Sequence, residues 1–115
     1  MNSRDVKKLL FDVEKACDRV LRFIQGCSID VFLSNEMLQS AVERQSEIIG
    51  EALNQAVDLD PSLSGRITDV GRIIAFRNRL IHGYASVSPR IVWGIATNDI
   101  PILLAEVRAI MSETP

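Results

Sequence analysis

The spacing of apolar residues constrains this chain more than any other feature. Through most of its 115 residues they recur three and four positions apart, the period of one helix face. Nowhere do apolar and polar residues alternate for long enough to argue a strand. Val6, Leu9, Leu10, Val13, Cys17, Val20, Leu21 and Ile24 form the first stripe. It predicts a helix capped by Ser3 and running to about Gln25, with Gly26 in the left-handed position that ends helices. Cys17 falls inside the stripe and reads as a buried structural thiol.

A second helix is expected from a Ser34 cap, with Leu33 and Leu38 as a hydrophobic staple. Its stripe runs through Ala41, Val42, Ile48, Ile49, Ala52, Leu53 and Ala56. Gln45 interrupts that stripe, and Gly50 allows another helix to approach closely. Residues 58–65, with Pro61 and several small polar side chains, read as a connection. A third helix is expected over residues 66–82, with Ile67, Val70, Ile73, Ile74, Leu80 and Ile81 apolar and Gly83 ending it. Arg77 stands in that stripe, where a leucine would be ordinary. Ser88-Pro89 starts a short fourth helix containing Ile91, Val92, Trp93 and Ile95. Asp99 can cap the last, whose stripe is Ile100, Leu103, Leu104, Val107, Ile110 and Met111. The expectation is one all-α domain over residues 1–115, a four- to five-helix up-and-down bundle whose first two helices are long and antiparallel. With six aromatic residues, aliphatic side chains must fill the core. So small a domain leaves apolar surface uncovered, which a second copy would bury.

No run of eighteen apolar residues exists, so no membrane span is expected. The charged N-terminus lacks the layout of a signal peptide. The expected location is the cytoplasm, with Cys17 and Cys27 reduced. One histidine and two distant cysteines make a poor zinc site, so neither metal nor cofactor is expected.

The formal net charge of −2 argues weakly against nucleic acid, but the charge is uneven. Residues 1–65 hold seven basic and eleven acidic side chains, a balance of −4. Residues 66–90 hold Arg66, Arg72, Arg77, Arg79 and Arg90 against Asp69, a balance of +4. Residues 91–115 hold one basic and three acidic groups, a balance of −2. The positive segment reads either as a solvated helix face or as a phosphate-binding one, since arginine offers a planar fork of donors.

His82 is the single histidine, the side-chain type that titrates naturally near neutral pH. A lone histidine is most often structural, but this one ends a helix in the most basic part of the chain. Asn78 and His82 are four apart and share a helix face. Arg77, five back, is rotated roughly 140° from His82. A long arginine arm or a second copy of the helix must bring the two together. Glu43, Glu47 and Glu51 lie four apart on the second helix and read as a solvated acidic stripe, one of which could pair with these arginines. Trp93 could stack on a base, though helix packing is the ordinary use of such a residue.

The stretch RNRLIHGY (77–84) resembles the signature of the HEPN superfamily: arginine, a polar residue, then histidine after four to six intervening positions. The tyrosine two places on is similar to that of the HepT-like branch, toxins encoded beside a minimal nucleotidyltransferase antitoxin. AVERQSEIIGEALNQA (41–56) and SPRIVWGIATNDIPILLAEV (88–107) resemble the flanking segments of that branch. The resemblance implies metal-independent RNA cleavage by a homodimer with a composite site. It implies His82 as general acid/base, Arg77 as phosphate and transition-state clamp, and Asn78 as orienter of His82 or of the phosphate. Arg79 is a candidate phosphate contact. Tyr84 is implied as the residue the antitoxin adenylylates, against the plain alternative that it closes the helix end. The main competing reading is a non-catalytic HEPN dimer that binds a nucleotide or a partner; a purely structural dimer would leave Arg77 in its apolar stripe unexplained.

Overall fold

The computed structural model describes residues 3–83 and 87–113. Among them the chain is helical, without strands. Helix α1 spans Ser3–Phe23, and Gly26 follows with φ +76°, the left-handed conformation expected of it. The Ser3 cap falls at the edge of the described residues, and its side chain lies outside them. Val6, Leu10, Val13, Cys17, Val20 and Ile24 are buried, with Leu9 and Leu21 packed beside them.

A short helix that the apolar spacing does not mark precedes the second expected one. A five-residue helix, α2 (Ile29–Leu33), comes first, capped by Ser28, whose Oγ accepts from the Val31 amide at 3.2 Å. Helix α3 (Glu36–Leu59) follows. Its cap is Asn35, not Ser34: the Asn35 Oδ1 accepts from the Leu38 amide at 3.0 Å. Ser34 instead ends α2, its Oγ donating to the Val31 carbonyl at 3.0 Å. Gln39 reaches back from α3 to donate to the Phe32 carbonyl at 2.9 Å, which fixes the corner between the two helices.

Asp5, Lys8 and Leu9 near the start of α1 share a surface hollow with Gln55 and Leu59 at the end of α3. The two long helices are therefore antiparallel, as expected. They pack along most of their length, with α4 (Val70–His82) on α3 and α6 (Ile100–Ser112) on α1. A 3-10 turn, Pro61–Gly65, joins α3 to the α4 region, so the third helix starts later than residue 66.

The C-terminal part is one rod with a widened turn. Helix α5 (Pro89–Gly94) is capped by Ser88, whose Oγ accepts from the Arg90 amide. It runs through a π turn, Ile95–Asp99, into α6. Pro101 accounts for the π turn. It cannot donate a hydrogen bond, and its ring would clash with the carbonyl four residues back. Widening the helix resolves both, and the Ile100 amide bonds the Ile95 carbonyl instead. Asp99 is thus helical, without a capping bond, contrary to its expected role. Trp93 packs against the buried Phe32, ring centroids 5.2 Å apart, which gives it the helix-packing role.

The molecule measures 44 × 30 × 19 Å. The shortest dimension is roughly two helix diameters, so a large share of its helix faces lies at the surface.

Candidate active site

Helix α4 carries the candidate residues, and its N-terminal approach is tied down by polar contacts. Arg66 pairs with Glu113 at the end of α6. The Thr68 amide donates to Glu106 Oε1 at 3.0 Å. Arg72 Nε lies 3.2 Å from Asp99 Oδ2. Asp99 is 5% exposed, and burial holds its carboxyl above the usual range despite the Arg72 charge. Among the described residues that Oδ2 has no aligned hydrogen-bond donor, so the contact with Arg72 is one of charge alone. Two of the five arginines in the positive segment, Arg66 and Arg72, thus neutralise acids of the C-terminal rod. The phosphate-binding reading of that segment narrows to Arg77, Arg79 and Arg90.

Ile73 and Phe76 fix the rotation of α4 by burial against the core. Phe76 extends the stripe beyond the residues expected, while Ile81 is 42% exposed. This rotation lays the stem of Arg77 across Gly50 of α3. A Cβ at residue 50 would lie 2.3 Å from the Arg77 Cβ and 2.8 Å from its Cγ, a distance no packed side chain tolerates. The close approach expected at Gly50 is therefore made by Arg77 itself.

The guanidinium head is held at both ends. Its Nη2 donates to Glu51 Oε2, and its Nη1 donates to Asn78 Oδ1 at 2.8 Å. Glu51 also accepts from Gln55 Nε2 at 2.9 Å through Oε1. One member of the acidic stripe thus pairs with the motif, as its spacing allowed. Asn78, expected to orient His82 or a phosphate, accepts from Arg77 in this structure.

Arg77 and Glu51 line a cleft of about 540 Å³ between α1, α3 and α4. Leu9, Ile48 and Ile81 supply apolar wall, and Lys15 and Arg19 bring positive charge from α1. Lys15 also lies 5.5 Å from the Phe11 ring centre. Sequence reasoning missed Lys15 and Arg19, because the charge of residues 1–65 taken together is −4 and hides the +2 balance of α1. No signal short of knowing which faces of α1 and α3 meet would have singled them out. Glu43, in the same acidic stripe, has its carboxyl raised by burial and by Glu47 beside it.

His82 closes α4, exposed, with Gly83 as the C-cap. Among the described residues its side chain makes no hydrogen bond or ion pair, nor does that of the exposed Arg79. One chain therefore does not join Arg77 to His82 directly: the first faces α3, and the second faces outward. Tyr84 lies outside the described residues. Among the described residues no group of three or more His, Cys, Asp or Glu side chains could hold a metal ion, and no helix is long and apolar enough to cross a membrane.

An all-α domain with an arginine packed into a helix interface and a histidine at the end of the same helix agrees with the HEPN resemblance. The chain belongs to the ribonuclease HepT-like family, whose profile matches residues 13–110. It is 31% identical over 114 residues to "Putative RNase MJ1380" of Methanocaldococcus jannaschii, covering 96% of this chain and 100% of that protein. It is 33% identical over 104 residues to "Probable ribonuclease HepT" of Thermococcus cleftensis, covering 87% and 90%. A third relative, "Putative RNase TTE0752" of Caldanaerobacter subterraneus, is 30% identical over 99 residues, covering 84% and 86%. No solved structure gives a significant match to this chain.

Proposed function

We propose that this chain is a metal-independent endoribonuclease, the toxin of a toxin–antitoxin pair, acting as a homodimer. The observation that carries the reading is the presentation of Arg77. A guanidinium packed on Gly50 and held by Glu51 and Asn78 faces a cleft, with a histidine at the end of the same helix that has no side-chain partner among the described residues. A structural arginine would not need that histidine.

The chemistry uses the RNA's own 2′-hydroxyl. A base removes its proton, the oxygen attacks the adjacent phosphorus, and the bond to the 5′-oxygen breaks as an acid protonates that oxygen. Each chain has one histidine, so a two-fold dimer supplies the pair, one His82 as base and the other as acid. Arg77 binds the phosphate and the charge that grows on it in the transition state. Asn78 keeps Arg77 in place, and Arg79 contacts a neighbouring phosphate. The partner proposed for control is a minimal nucleotidyltransferase that adenylylates Tyr84. The added group is bulky and negative, and it opposes RNA by shape and by charge.

The purified chain is expected to run at twice its mass in light scattering and to cleave RNA, but not an all-deoxy strand, in the presence of EDTA. A monomer with full activity defeats the composite site. A dimer that binds RNA and never cuts it establishes the non-catalytic reading instead. Co-expression with the cognate nucleotidyltransferase should add adenylyl mass on Tyr84, and Tyr84→Phe should stay toxic and resist rescue. Full rescue of that variant with no added mass means that inhibition is by binding alone.

A further inference from the structure

We infer that Glu51 is a positioning residue for the cleavage reaction, holding the Arg77 guanidinium at the angle that meets the RNA phosphate, with Gln55 holding Glu51 in turn. The inference rests on the ribonuclease reading above.

An arginine has a long flexible stem, and freezing it costs rotamer entropy at the moment of binding unless it is frozen beforehand. Here the stem is fixed first. Its Cβ and Cγ lie where a side chain at residue 50 would stand. The head is fixed next, with Glu51 Oε2 on one terminal nitrogen and Asn78 Oδ1 on the other. Glu51 does not close on the guanidinium as a two-toothed clamp. Its second oxygen is taken by Gln55 Nε2 at 2.9 Å. The guanidinium has five N–H donors in one plane, and these two contacts leave the others for a phosphate. The plane in which they lie is set by Gln55, Glu51 and Asn78 together.

The ion pair has little value as a stability device. Glu51 is 42% exposed at its side chain, and pairs so open to water contribute weakly. Orientation is a different matter. A misplacement of about 1 Å at a reacting group can lower a rate about a hundredfold. Glu51 should therefore govern turnover rather than RNA affinity, because an untethered Arg77 still carries its charge.

The test uses the full-length dimer and compares Glu51→Gln, which keeps an oxygen acceptor, with Glu51→Met, which has similar length and no oxygen. Glu51→Met is expected to lower kcat about ten- to a hundredfold while KM for RNA moves less than about threefold. Glu51→Gln should recover kcat to within about fivefold of the wild type, because its amide oxygen still accepts from Arg77. Wild-type kcat in Glu51→Met overturns the inference, as does a loss confined to KM. If Glu51→Met loses its helical circular dichroism, Gln55→Ala decides from the outer end of the chain of contacts. It should reduce kcat roughly three- to tenfold, and an unchanged kcat there overturns the inference. Arg77→Ala and His82→Ala run alongside. Wild-type cleavage in both brings down the ribonuclease reading itself, whatever the Glu51 variants do.

Discussion

The approach to α4 and its far end use the same residue types to opposite effect. At the approach, Arg66 and Arg72 pair with Glu113 and Asp99, and Thr68 is held by Glu106. These contacts bind the helix to the C-terminal rod and consume the positive charge. At the far end Arg79 and His82 have no side-chain partner among the described residues. Arg77 lies between, tied by Glu51 but open to a cleft. What an arginine does here depends on which acids the neighbouring helix places opposite it, not on local charge density.

The largest effects should come from Arg77 and the far end. His82→Ala and Arg77→Ala are each expected to lower cleavage by about two to four orders of magnitude. His82→Ala should shift the melting temperature by no more than a few degrees, because His82 is exposed. A comparable loss of activity from Arg66→Ala would break the contrast between the two ends.

The next effect is structural and falls on the middle of the helix. Gly50→Ala puts a methyl group 2.3 Å from the Arg77 Cβ, so α4 must move off α3. Overpacking of this kind costs about 1–3 kcal/mol, visible as a lower denaturation midpoint, and cleavage should fall with it because Arg77 moves. Normal stability and normal cleavage would mean that the close approach is dispensable.

Much of this architecture is legible in the sequence, and the parts that are not have physical causes. Apolar spacing marks α1 and α3, and glycine and Ser-Pro signals mark Gly26 and the start of α5, because each is a local rule. Helix α2 is five residues long, too short for a period to show, and its insertion moves the α3 cap from Ser34 to Asn35. The π turn before Pro101 is a response of the backbone to a proline inside a helix. Asp99 therefore looks like a cap while serving as a buried acid for Arg72. The site is partly legible for a similar reason. RNRLIH identifies the helix end, and Gly50 its contact. Glu43, Glu47 and Glu51 share one spacing, so only the rotation of α3 against α4 selects Glu51 as the partner of Arg77.

A smaller effect separates the approach by pH. Burial raises the Asp99 carboxyl and Arg72 opposes the rise. A carboxyl raised in the folded state holds its proton there more readily than in the unfolded chain. It therefore destabilises the fold above its folded pKa, and that penalty fades as pH falls. Arg72→Ala removes the opposing charge, so the penalty at neutral pH should grow by about 1 kcal/mol, modest because Arg72 is largely exposed. Thermal melts of variant and wild type should differ at pH 7 and converge toward pH 4. Divergence on acidification would mean that Asp99 is not the group responsible.

The smallest effects set Arg79 against Arg66, one exposed arginine from each end. Arg66 pairs with Glu113 across a solvent-facing contact, the two side chains 42% and 55% exposed. Such a pair contributes about 0–1 kcal/mol, so Arg66→Ala should lower stability slightly and leave RNA binding unchanged. Arg79 pairs with no acid among the described residues. If it meets a phosphate, Arg79→Ala should leave the melting temperature alone and weaken RNA binding in a salt-dependent way. Each phosphate contact on single-stranded RNA releases condensed counterions. Its removal should therefore flatten the slope of log affinity against log salt by about 0.7. Measuring both variants in both assays gives a two-by-two result in which each residue should register in one column only. If Arg66→Ala flattens the salt slope, the approach to α4 also carries RNA, and its ion pair yields to phosphate. If Arg79→Ala leaves the slope unchanged, the RNA path runs instead past Lys15 and Arg19 on α1, which line the cleft beside Arg77.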